Sequence, residues 1–381
     1  MDERARVLIV DDEPFNIDYL EQELEDLDCE TASAGDGREA LELVAADAPD
    51  LILLDIMMPQ MDGFQVLARL KSDQALRDIP VIVISALDDM GSVVKGIEMG
   101  AEDYLPKPFD AVLLKARMSA CLEKKRLRDR EVQYLRRINE ELDLAWRVQS
   151  GFLPDDVPQL PGWQLAAALE PSRETSGDFF DLIALPSGGL AILVADVADK
   201  GMGAALFMVL ARTLIRTYAA EYHSKPDSLF AAVNRRILTD INTSQFVTAF
   251  YGVLDPATGT LSYCNAGHDP PYLLSPAKSP AVRELKATGM PLGILEDASW
   301  EQKAVELAPG DMLVLYTDGV TEAQDAGQQF FGRARLLEVA RANMGRSAQD
   351  VLDALMAQVQ RFAGQAPQFD DITLEVVVRE T

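Results

Sequence analysis

The chain has 381 residues, of which 48% are hydrophobic, and this length and composition predict two or three domains that each contain an apolar core. Its formal net charge of −27 repels nucleic acids and anionic membrane surfaces, which argues against direct DNA binding. The three cysteines lack metal-ligand spacing, so they argue against a disulfide framework and indicate a reducing compartment.

In the first segment, residues 1–107, short apolar runs alternate with amphipathic stretches of helical length. This order predicts a doubly wound α/β domain. The predicted strands include residues 7–10, 51–54 and 81–84, and the predicted helices are residues 14–27, 36–46, 63–71 and 93–99. Because the strand runs are continuously apolar, we expect a parallel sheet covered on both faces.

Polar residues follow these apolar runs. Asp11 and Asp12 follow the first run, Asp55 and Ser85 follow the next two, and Lys107 lies beyond a further short run. Ligands of parallel sheets bind at the carboxyl ends of the strands, so we expect these side chains to converge. Three converging carboxylates repel one another, and a hard cation such as Mg²⁺ relieves that repulsion.

The stretches VLIVDDEP, LILLDIMMPQMDG, VIVISA and GAEDYLPKPF resemble the motifs of response-regulator receiver domains, and we assign residues 1–120 to such a domain. The resemblance implies a five-stranded, flavodoxin-like parallel sheet. It implies that Asp55 accepts a phosphoryl group from a sensor histidine kinase or phosphotransfer protein. It also implies that Asp11, Asp12 and Asp55 hold Mg²⁺.

The same resemblance implies a phosphorylation switch. Ser85 and Lys107 would contact the phosphoryl oxygens, and Tyr104 resembles the aromatic switch residue of the family. The Lys107–Pro108 bond resembles the family's cis peptide, a form that is costly except before proline. The alternative is a degenerate receiver that only binds partners, and the presence of all five polar positions argues against it.

Residues 110–153 are predicted to form a helical linker, for which two interpretations stay open. A heptad pattern places these residues on one a/d seam: Met118, Cys121, Val132, Leu135, Leu142 and Trp146. Such a seam is typical of a coiled coil that pairs two chains in a homodimer, although Lys125 and Arg128 interrupt it. The other interpretation is a single amphipathic helix that lies on one of its domains.

Residues 154–381 change to strand-like runs separated by long amphipathic stretches, which predicts an α+β domain. The predicted strands are residues 163–169, 180–185, 190–195, 246–254, 260–264, 312–316 and 372–378. The predicted helices are residues 203–222, 227–242, 333–344 and 348–362. We also expect a hairpin that turns at residues 256–259.

Acidic residues gather at the ends of these runs, in the motifs SGDFFD, ADVADKG, YTDG and FDDIT. Carboxylates at strand ends far apart in sequence can converge on two metal ions, which activate a water and neutralise a phosphoryl group. Turn formation and helix capping are the alternative roles for each motif taken singly.

The order and spacing of these motifs resemble the metal-dependent serine/threonine phosphatases of the type-2C-like family, in the bacterial branch that regulates sigma factors and sporulation. The resemblance implies a β-sandwich flanked by helices and two ions, Mn²⁺ or Mg²⁺, held by oxygen ligands. The implied ligands, which also carry catalysis, are Asp178, Asp196, the Val197 carbonyl, Asp318 and Asp370.

Other residues of this segment have weaker assignments. Asp181 and Asp371 are expected to orient the ligands through hydrogen bonds. Arg173 is a candidate for holding the phosphoryl oxygens, with a surface arginine as the alternative. No histidine follows Asp196, whereas eukaryotic relatives carry one there as a general acid. AGHDPP has an aspartate where the branch usually has proline, and we expect its His268 to be structural.

These observations predict a phosphorylation-controlled response regulator that hydrolyses phosphoserine or phosphothreonine on a protein. By resemblance, the substrate is an anti-sigma-factor antagonist. The alternative is a phosphorylation-switched adaptor that binds a sigma-factor regulator without catalysis. The chain does not start with a signal peptide, and no apolar run approaches the roughly 18 residues of a membrane-spanning helix. We therefore expect a cytoplasmic protein with no nucleic-acid or membrane partner.

Overall fold

A computed structural model describes residues 4–27, 29–86, 90–154, 156–240, 245–276 and 282–381. The chain forms two compact units, Met1–Ile138 and Asn139–Thr381. The boundary between them falls inside the predicted linker. The boundaries of the predicted domains, residues 1–120, 110–153 and 154–381, remain predictions.

The first unit contains a parallel five-stranded sheet in the order β2-β1-β3-β4-β5, which confirms the predicted doubly wound architecture. Its strands are β1 (Ala5–Val10), β2 (Cys29–Ala34), β3 (Leu51–Asp55), β4 (Val81–Ala86) and β5 (Asp103–Lys107). Its helices are α1 (Pro14–Leu24), α2 (Gly37–Ala46), α3 (Gly63–Ser72), α4 (Met90–Glu98) and the first part of α5 (Ala111–Ser150).

Both faces of this sheet are buried, as the continuous apolar runs predict. Val7 and Ile9 of β1 pack with residues of α1 and α5, whereas Leu8 and Val10 pack with residues of α2 and α3. The alternation follows from the two-residue period of a strand. The carboxyl ends of β1, β3 and β4 therefore meet at one edge of a rigid, fully covered sheet.

Helix α5 is 40 residues long, and its first part belongs to the core of the first unit. Met118 and Cys121 are buried in that core, so the prediction that they lie on a dimer seam is wrong. Lys125 lies 3.2 Å from Asp50, which also ties this part of the helix to the unit. Farther along, Val132 and Leu135 are 60% and 53% exposed. Of the predicted seam, only the part from Val132 onward is left for pairing.

The second unit contains two five-stranded sheets, ordered β13-β10-β9-β8-β7 and β12-β11-β14-β15-β6, whose paired strands run antiparallel. The strands of the first sheet are β7 (Phe179–Ala184), β8 (Leu190–Val197), β9 (Val247–Asp255), β10 (Thr260–Ala266) and β13 (Lys303–Glu306). Those of the second are β6 (Trp163–Glu170), β11 (Tyr272–Leu274), β12 (Val282–Glu284), β14 (Met312–Tyr316) and β15 (Ile372–Arg379). The helices are α6 (Met202–Ala219), α7 (Pro226–Asp240), α8 (Asp318–Thr321), α9 (Gly332–Ala342) and α10 (Ala348–Ala363).

The two sheets pack face to face. Ile192 and Val194 of β8 share a buried cluster with residues of the second sheet, including Leu313 and Leu315. The opposite face of β8 packs against α6 and α7, and α9 and α10 cover the outer face of the second sheet. This arrangement confirms the predicted β-sandwich flanked by helices.

Among the described residues, one helix is long and apolar enough to cross a membrane by length and composition, namely α6. Ala204, Met208, Ala211 and Ile215 of this helix are buried in the core beside the first sheet. Its apolar composition is therefore explained by packing inside the second unit.

Candidate functional site

The first unit places Asp11, Asp12 and Asp55 at the carboxyl ends of β1 and β3. Each of the three offers a carboxylate oxygen within 4.8 Å of the others, a spacing that suits one hard cation. Asp11 and Asp55 are buried, whereas Asp12 is exposed. Oxygen ligands at a partly open edge match the preference of Mg²⁺ for a few carboxylates and several waters.

Lys107 neutralises part of this negative charge. Its Nζ lies 2.9 Å from Asp11 Oδ2 and 3.0 Å from Asp55 Oδ2. Burial raises the pKa of Asp55, and hydrogen bonding to Lys107 opposes that increase. Burial alone would lower the pKa of Lys107, but the hydrogen bonds to Asp11 and Asp55 hold it above its ordinary value. The lysine therefore stays charged beside the predicted phosphorylation site.

The predicted switch residues lie on β4 and β5. Asp55 pairs with Ile84 in the sheet register, so the buried Ser85 is the next residue along β4. Tyr104 is partly buried, and the guanidinium of Arg117 in α5 lies 4.4 Å from the centre of its ring. Arg117 also pairs with Asp103. Arg117 was not predicted, because its partners lie more than ten residues away in sequence.

In the second unit, strand register brings the acidic motifs together in pairs. Phe179 pairs with Ala195 in the antiparallel β7–β8 ladder, so Asp178 and Asp196 lie at the same end of one sheet. In the other sheet, Tyr316 pairs with Leu374, so the residues just after β14 lie beside those just before β15. Asp318 and Asp370 belong to those two segments. One end of each sheet thus supplies two aspartates.

Two threonines from the segments that carry Asp318 and Asp370 form hydrogen bonds with Asp178. The hydroxyls of Thr317 and Thr373 donate to Asp178 Oδ2 at 2.6 and 2.8 Å. Both threonines are fully buried, and Thr373 lies in β15 while Thr317 directly follows β14, whereas Asp178 precedes the first sheet. Neither threonine was predicted, although each sits inside an acidic motif as a polar residue beside an apolar run.

Burial and mutual repulsion raise the pKa of three carboxylates of this cluster. Burial and the charge of Asp196 raise the pKa of Asp178 well above its ordinary value. Burial, with Asp318 and Asp370, raises the pKa of Asp196 to about 8. Burial and Asp370 raise the pKa of Asp318 to about 6. One buried and three half-buried carboxylates that repel one another fit divalent cations, which would remove the repulsion.

The carboxylates of the acidic cluster in the second unit lie farther apart than those in the first unit. Within the described ranges, no three of its carboxylates approach within 4.8 Å of one another as Asp11, Asp12 and Asp55 do. A wider spread of ligands is compatible with two ions that lie about 3.5–4 Å apart. Lys200 Nζ, 2.9 Å from Asp370 Oδ2, adds a positive charge at this cluster that the sequence analysis did not predict.

Both carboxylate oxygens of Asp371 accept hydrogen bonds from the loop before β7. Its Oδ1 accepts from the backbone N–H of Ser172 at 2.7 Å and from the Ser172 hydroxyl at 2.9 Å. Its Oδ2 accepts from the Ser176 hydroxyl and from the Gly177 N–H, both at 2.8 Å. Both oxygens are therefore occupied by protein donors, which agrees with the expected orienting role.

Asp181, the other residue expected to orient ligands, makes different contacts. Its carboxylate lies 3.0 Å from Arg212 and 2.7 Å from Arg216, both on α6. Through these contacts it joins β7 to α6 and, contrary to the expected role, does not orient the four aspartates of the cluster. Arg173 is exposed on the loop before β7.

Two glycines permit close backbone approaches at the cluster. A Cβ on Gly177 would lie 3.2 Å from the carbonyl oxygen of Val197, the predicted backbone ligand. A Cβ on Gly319 would lie 2.0 Å from the carbonyl oxygen of Asp371. A side chain at either position would push apart the strands that carry the aspartates. The glycine of YTDG is thus required for close approach.

His268 is buried and structural. Its Nε2 lies 3.1 Å from the carbonyl oxygen of Tyr316, which can only accept, so Nε2 carries the proton. Nδ1 then accepts from the Thr248 hydroxyl at 2.9 Å. Burial lowers the pKa of His268 to about 4, which keeps the ring neutral at pH 7. The aspartate that departs from the usual motif, Asp269, pairs with Arg333.

Comparisons with known proteins match both units. The family model described as Stage II sporulation protein E (SpoIIE) matches residues 186–380, and the model described as Response regulator receiver domain matches residues 7–119. Protein IcfG of Synechocystis sp. (strain ATCC 27184 / PCC 6803 / Kazusa) is 35% identical over 266 residues, which cover 63% of this chain. The match spans only 41% of the length of IcfG.

A second relative is matched over more of its length. The phosphoserine phosphatase RsbU of Bacillus subtilis (strain 168) is 31% identical over 247 residues, which cover 64% of this chain and 71% of RsbU. Among solved structures, the SiaA-PP2C domain of Pseudomonas aeruginosa aligns with a TM-score of 0.58 at 24% identity. That alignment covers 65% of this chain and 99% of the other and supports the fold of the second unit.

Proposed function

Because this chain belongs to the stage II sporulation protein E (SpoIIE) family and carries a response regulator receiver domain, we propose that it is a response regulator whose output is metal-dependent hydrolysis of phosphoserine or phosphothreonine on a protein. The observation that carries the proposal is the convergence of four aspartates from strand ends of both sheets, where burial and mutual repulsion raise the pKa of Asp178, Asp196 and Asp318. A non-catalytic adaptor has no need for carboxylates that repel one another in this way.

In this proposal, Asp178, Asp196, Asp318, Asp370 and the Val197 carbonyl hold two divalent ions, Mn²⁺ or Mg²⁺. When bound, such ions supply an activated water and neutralise the phosphoryl charge. The protein itself holds the ligands in place. Thr317 and Thr373 fix the Asp178 carboxylate through hydrogen bonds, and Asp371 holds the loop that carries it.

Two cationic side chains are available to the phosphoryl group. Lys200 sits beside Asp370, and a charge there would attract an anionic substrate. Arg173, exposed on the loop before Asp178, has the planar guanidinium suited to bidentate contact with phosphoryl oxygens. We assign Arg173 that role as part of the proposal.

The receiver supplies the control. We propose that a sensor histidine kinase or phosphotransfer protein phosphorylates Asp55 and that Mg²⁺, held by Asp11, Asp12 and Asp55, assists the transfer. Lys107 and Ser85 would then bind the phosphoryl oxygens, and Tyr104 would respond by turning inward. The contacts of Lys107 with Asp11 and Asp55 support this arrangement.

The protein substrate is proposed to be an anti-sigma-factor antagonist, on the resemblance to the bacterial branch of the phosphatase family. The similarity to the phosphoserine phosphatase RsbU supports phosphoserine as the residue that is dephosphorylated. We place the protein in the cytoplasm, without a nucleic-acid or membrane partner, because its net charge of −27 disfavours both.

A homodimer is also part of the proposal. Val132 and Leu135 on α5 are exposed and apolar, and a second copy of the helix would cover them. Sedimentation velocity of the full chain, with and without a phosphoryl donor, tests this idea. A monomer in both states would refute it.

The activity is tested with Asp318→Asn in the full chain. We expect the wild type to hydrolyse an aryl phosphate with Mn²⁺ or Mg²⁺ and to lose the activity in excess chelator. Asp318→Asn should lower turnover about a hundredfold or more, because removing a ligand weakens the ion site. Asp297→Asn, at an exposed position, is the matched control. Full activity of Asp318→Asn would show that the ligands are misassigned, whereas no hydrolysis by the wild type with either ion would favour the adaptor.

A further inference from the structure

The last turn of α5 contains a buried glutamine that binds the loop next to the aspartate cluster. Gln149 is 3% exposed, although its neighbour Val148 is 60% exposed. Its Nε2 donates to the carbonyl oxygen of Ser176 at 2.5 Å, and its Oε1 accepts from the N–H of Ser176 at 3.1 Å. The side-chain amide thus pairs with both backbone groups of a single residue, much as one strand pairs with another.

Ser176 is in turn bonded to two aspartates of the site. Its hydroxyl donates to Asp371 Oδ2 at 2.8 Å and accepts from the N–H of Asp178 at 3.0 Å. Ser176 and Asp178 are both almost completely buried, so water cannot replace these bonds cheaply. A continuous set of hydrogen bonds therefore runs from Gln149 on α5 through Ser176 to the backbone of Asp178.

We propose that Gln149 is a positioning residue for the metal site, which fixes the loop of residues 176–178 so that the Asp178 carboxylate is held where it can bind an ion. This inference rests on the proposed function of the second unit as a metal-dependent phosphatase. Gln149 touches neither substrate nor ion. It acts through Ser176, and its effect is on the affinity of the site for the ion.

The position of Gln149 gives the contact a second consequence. It belongs to the final turn of the helix that begins in the receiver, Ala111–Ser150. Both of its hydrogen bonds reach the same residue, so a rotation of that turn breaks them together. Hydrogen bonds weaken steeply when they are misaligned. A rotation much smaller than the roughly 100° between successive helical residues is therefore enough to break both bonds. The affinity of the site for its ion then depends on the orientation of the end of α5.

The test compares Gln149→Leu with Gln133→Leu in the full chain. Leucine has about the volume of glutamine but makes neither of the two hydrogen bonds. Gln133 is exposed on the same helix, so Gln133→Leu serves as the matched control. Both variants also carry Asp12→Asn, as does the reference protein, to weaken ion binding by the receiver. Mn²⁺ binding is measured directly by electron paramagnetic resonance without substrate, and hydrolysis of an aryl phosphate is followed across a Mn²⁺ titration.

For Gln149→Leu we expect Mn²⁺ affinity to fall about tenfold or more, as for other residues that orient metal ligands, with turnover at saturating Mn²⁺ within about threefold of the reference. Gln149→Glu, which keeps the bond from the Ser176 N–H and loses the other, should lie between the two. Gln133→Leu should match the reference. An unchanged Mn²⁺ affinity in Gln149→Leu would overturn the proposal, whether or not turnover is lost.

Two further outcomes remain decisive. If circular dichroism shows that Gln149→Leu is unfolded, Gln149→Glu decides by the same criterion. If the reference protein binds Mn²⁺ but hydrolyses nothing, the proposed function fails while the binding measurement still tests the role of Gln149.

Discussion

Asp370 and Asp371 are adjacent in the sequence but make different contacts. Both oxygens of Asp371 accept hydrogen bonds from the loop of residues 172–177, so this side chain organises the loop. Asp370 pairs with Lys200, accepts a hydrogen bond from the N–H of Asp371 at 3.0 Å, and contributes to the raised pKa of Asp196 and Asp318. We therefore expect Asp370 to bind the proposed ions, whereas Asp371 organises the loop.

Glu375 on β15 is a buried acidic residue of a different kind. It is 1% exposed, and neither of its carboxylate oxygens has a hydrogen-bond partner among the residues that the structure describes. Burial, with the charge of Asp181, raises the pKa of Glu375 well above its ordinary value. The folded protein therefore holds a proton here that the unfolded chain releases above its ordinary pKa of 4.5.

Glu375→Leu should stabilise the second unit, by about 1–3 kcal/mol at pH 7, because it removes an unpaired buried carboxyl. The raised pKa contributes stability below pH 4.5 that is lost as the pH rises toward the folded-state pKa. The advantage of the variant should therefore grow from pH 5 to pH 7.5. Urea unfolding of the second unit at both pH values measures it. Glu375→Gln is the control, and an advantage that shrinks as the pH rises would contradict the assignment.

At the scale of the element, the sequence predicted the long strands and helices well. β14 has the predicted bounds, and the hairpin of β9 and β10 turns at Gly259, which adopts a φ of 80°. β2 was missed because its sequence, CETASA, is mostly exposed and lacks an apolar run. β11 and β12 were missed because each has only three residues, too few to show a period.

The site shows the same division. The aspartates were found because each interrupts or ends an apolar run in a motif. Thr317, Thr373 and Gln149 were not found, because their roles arise from pairing between strands or from a helix end that meets a distant loop. Such partners are set by tertiary structure and have no fixed spacing in the sequence. Arg173 differs from these residues, because its phosphoryl-binding role was predicted only from its closeness to Asp178 in the sequence, and its side chain is exposed.

The contact between β5 and α5 provides a test of the switch. Arg117 lies over the ring of Tyr104 and pairs with Asp103, so an inward turn of Tyr104 must break the contact with the ring. Arg117→Leu should ease that turn by about 0.5–1 kcal/mol, and the ratio of hydrolysis rates with and without a phosphoryl donor should shrink about two- to fivefold. Arg126→Leu, at an exposed position of the same helix, is the control. An unchanged ratio in Arg117→Leu would remove Arg117 from the switch.

The rigidity of α5 is tested separately. Helix α5 has 40 residues, about 60 Å at 1.5 Å per residue, and contains neither glycine nor proline. Replacing Arg130 and Glu131 by glycine costs about 1 kcal/mol of helix stability per residue relative to alanine. We expect basal hydrolysis and Asp55 phosphorylation to persist while the response of one to the other is lost. The same pair replaced by alanine is the control, and a full response in the glycine variant would refute transmission through the helix.

At the scale of the whole molecule, the chain combines two sites that share one chemistry. Asp11, Asp12 and Asp55 form an acidic cluster in the first unit, four further aspartates form another in the second, and we propose that both clusters bind divalent ions. Both sites place carboxylates at strand ends, where phosphoryl groups and divalent ions can meet. The central claim is that the phosphoryl group on the first site controls hydrolysis at the second.

The most direct measurement of that claim is the turnover of an aryl phosphate by the full chain in Mn²⁺, with and without acetyl phosphate as phosphoryl donor. The same measurement is made on Asp55→Asn, which retains the fold of the second unit and cannot be phosphorylated at that position. We predict that the donor changes wild-type turnover about fivefold or more, a typical size for coupling between sites, and leaves Asp55→Asn unchanged. Equal turnover with and without the donor, at confirmed phosphorylation of Asp55, would contradict the account.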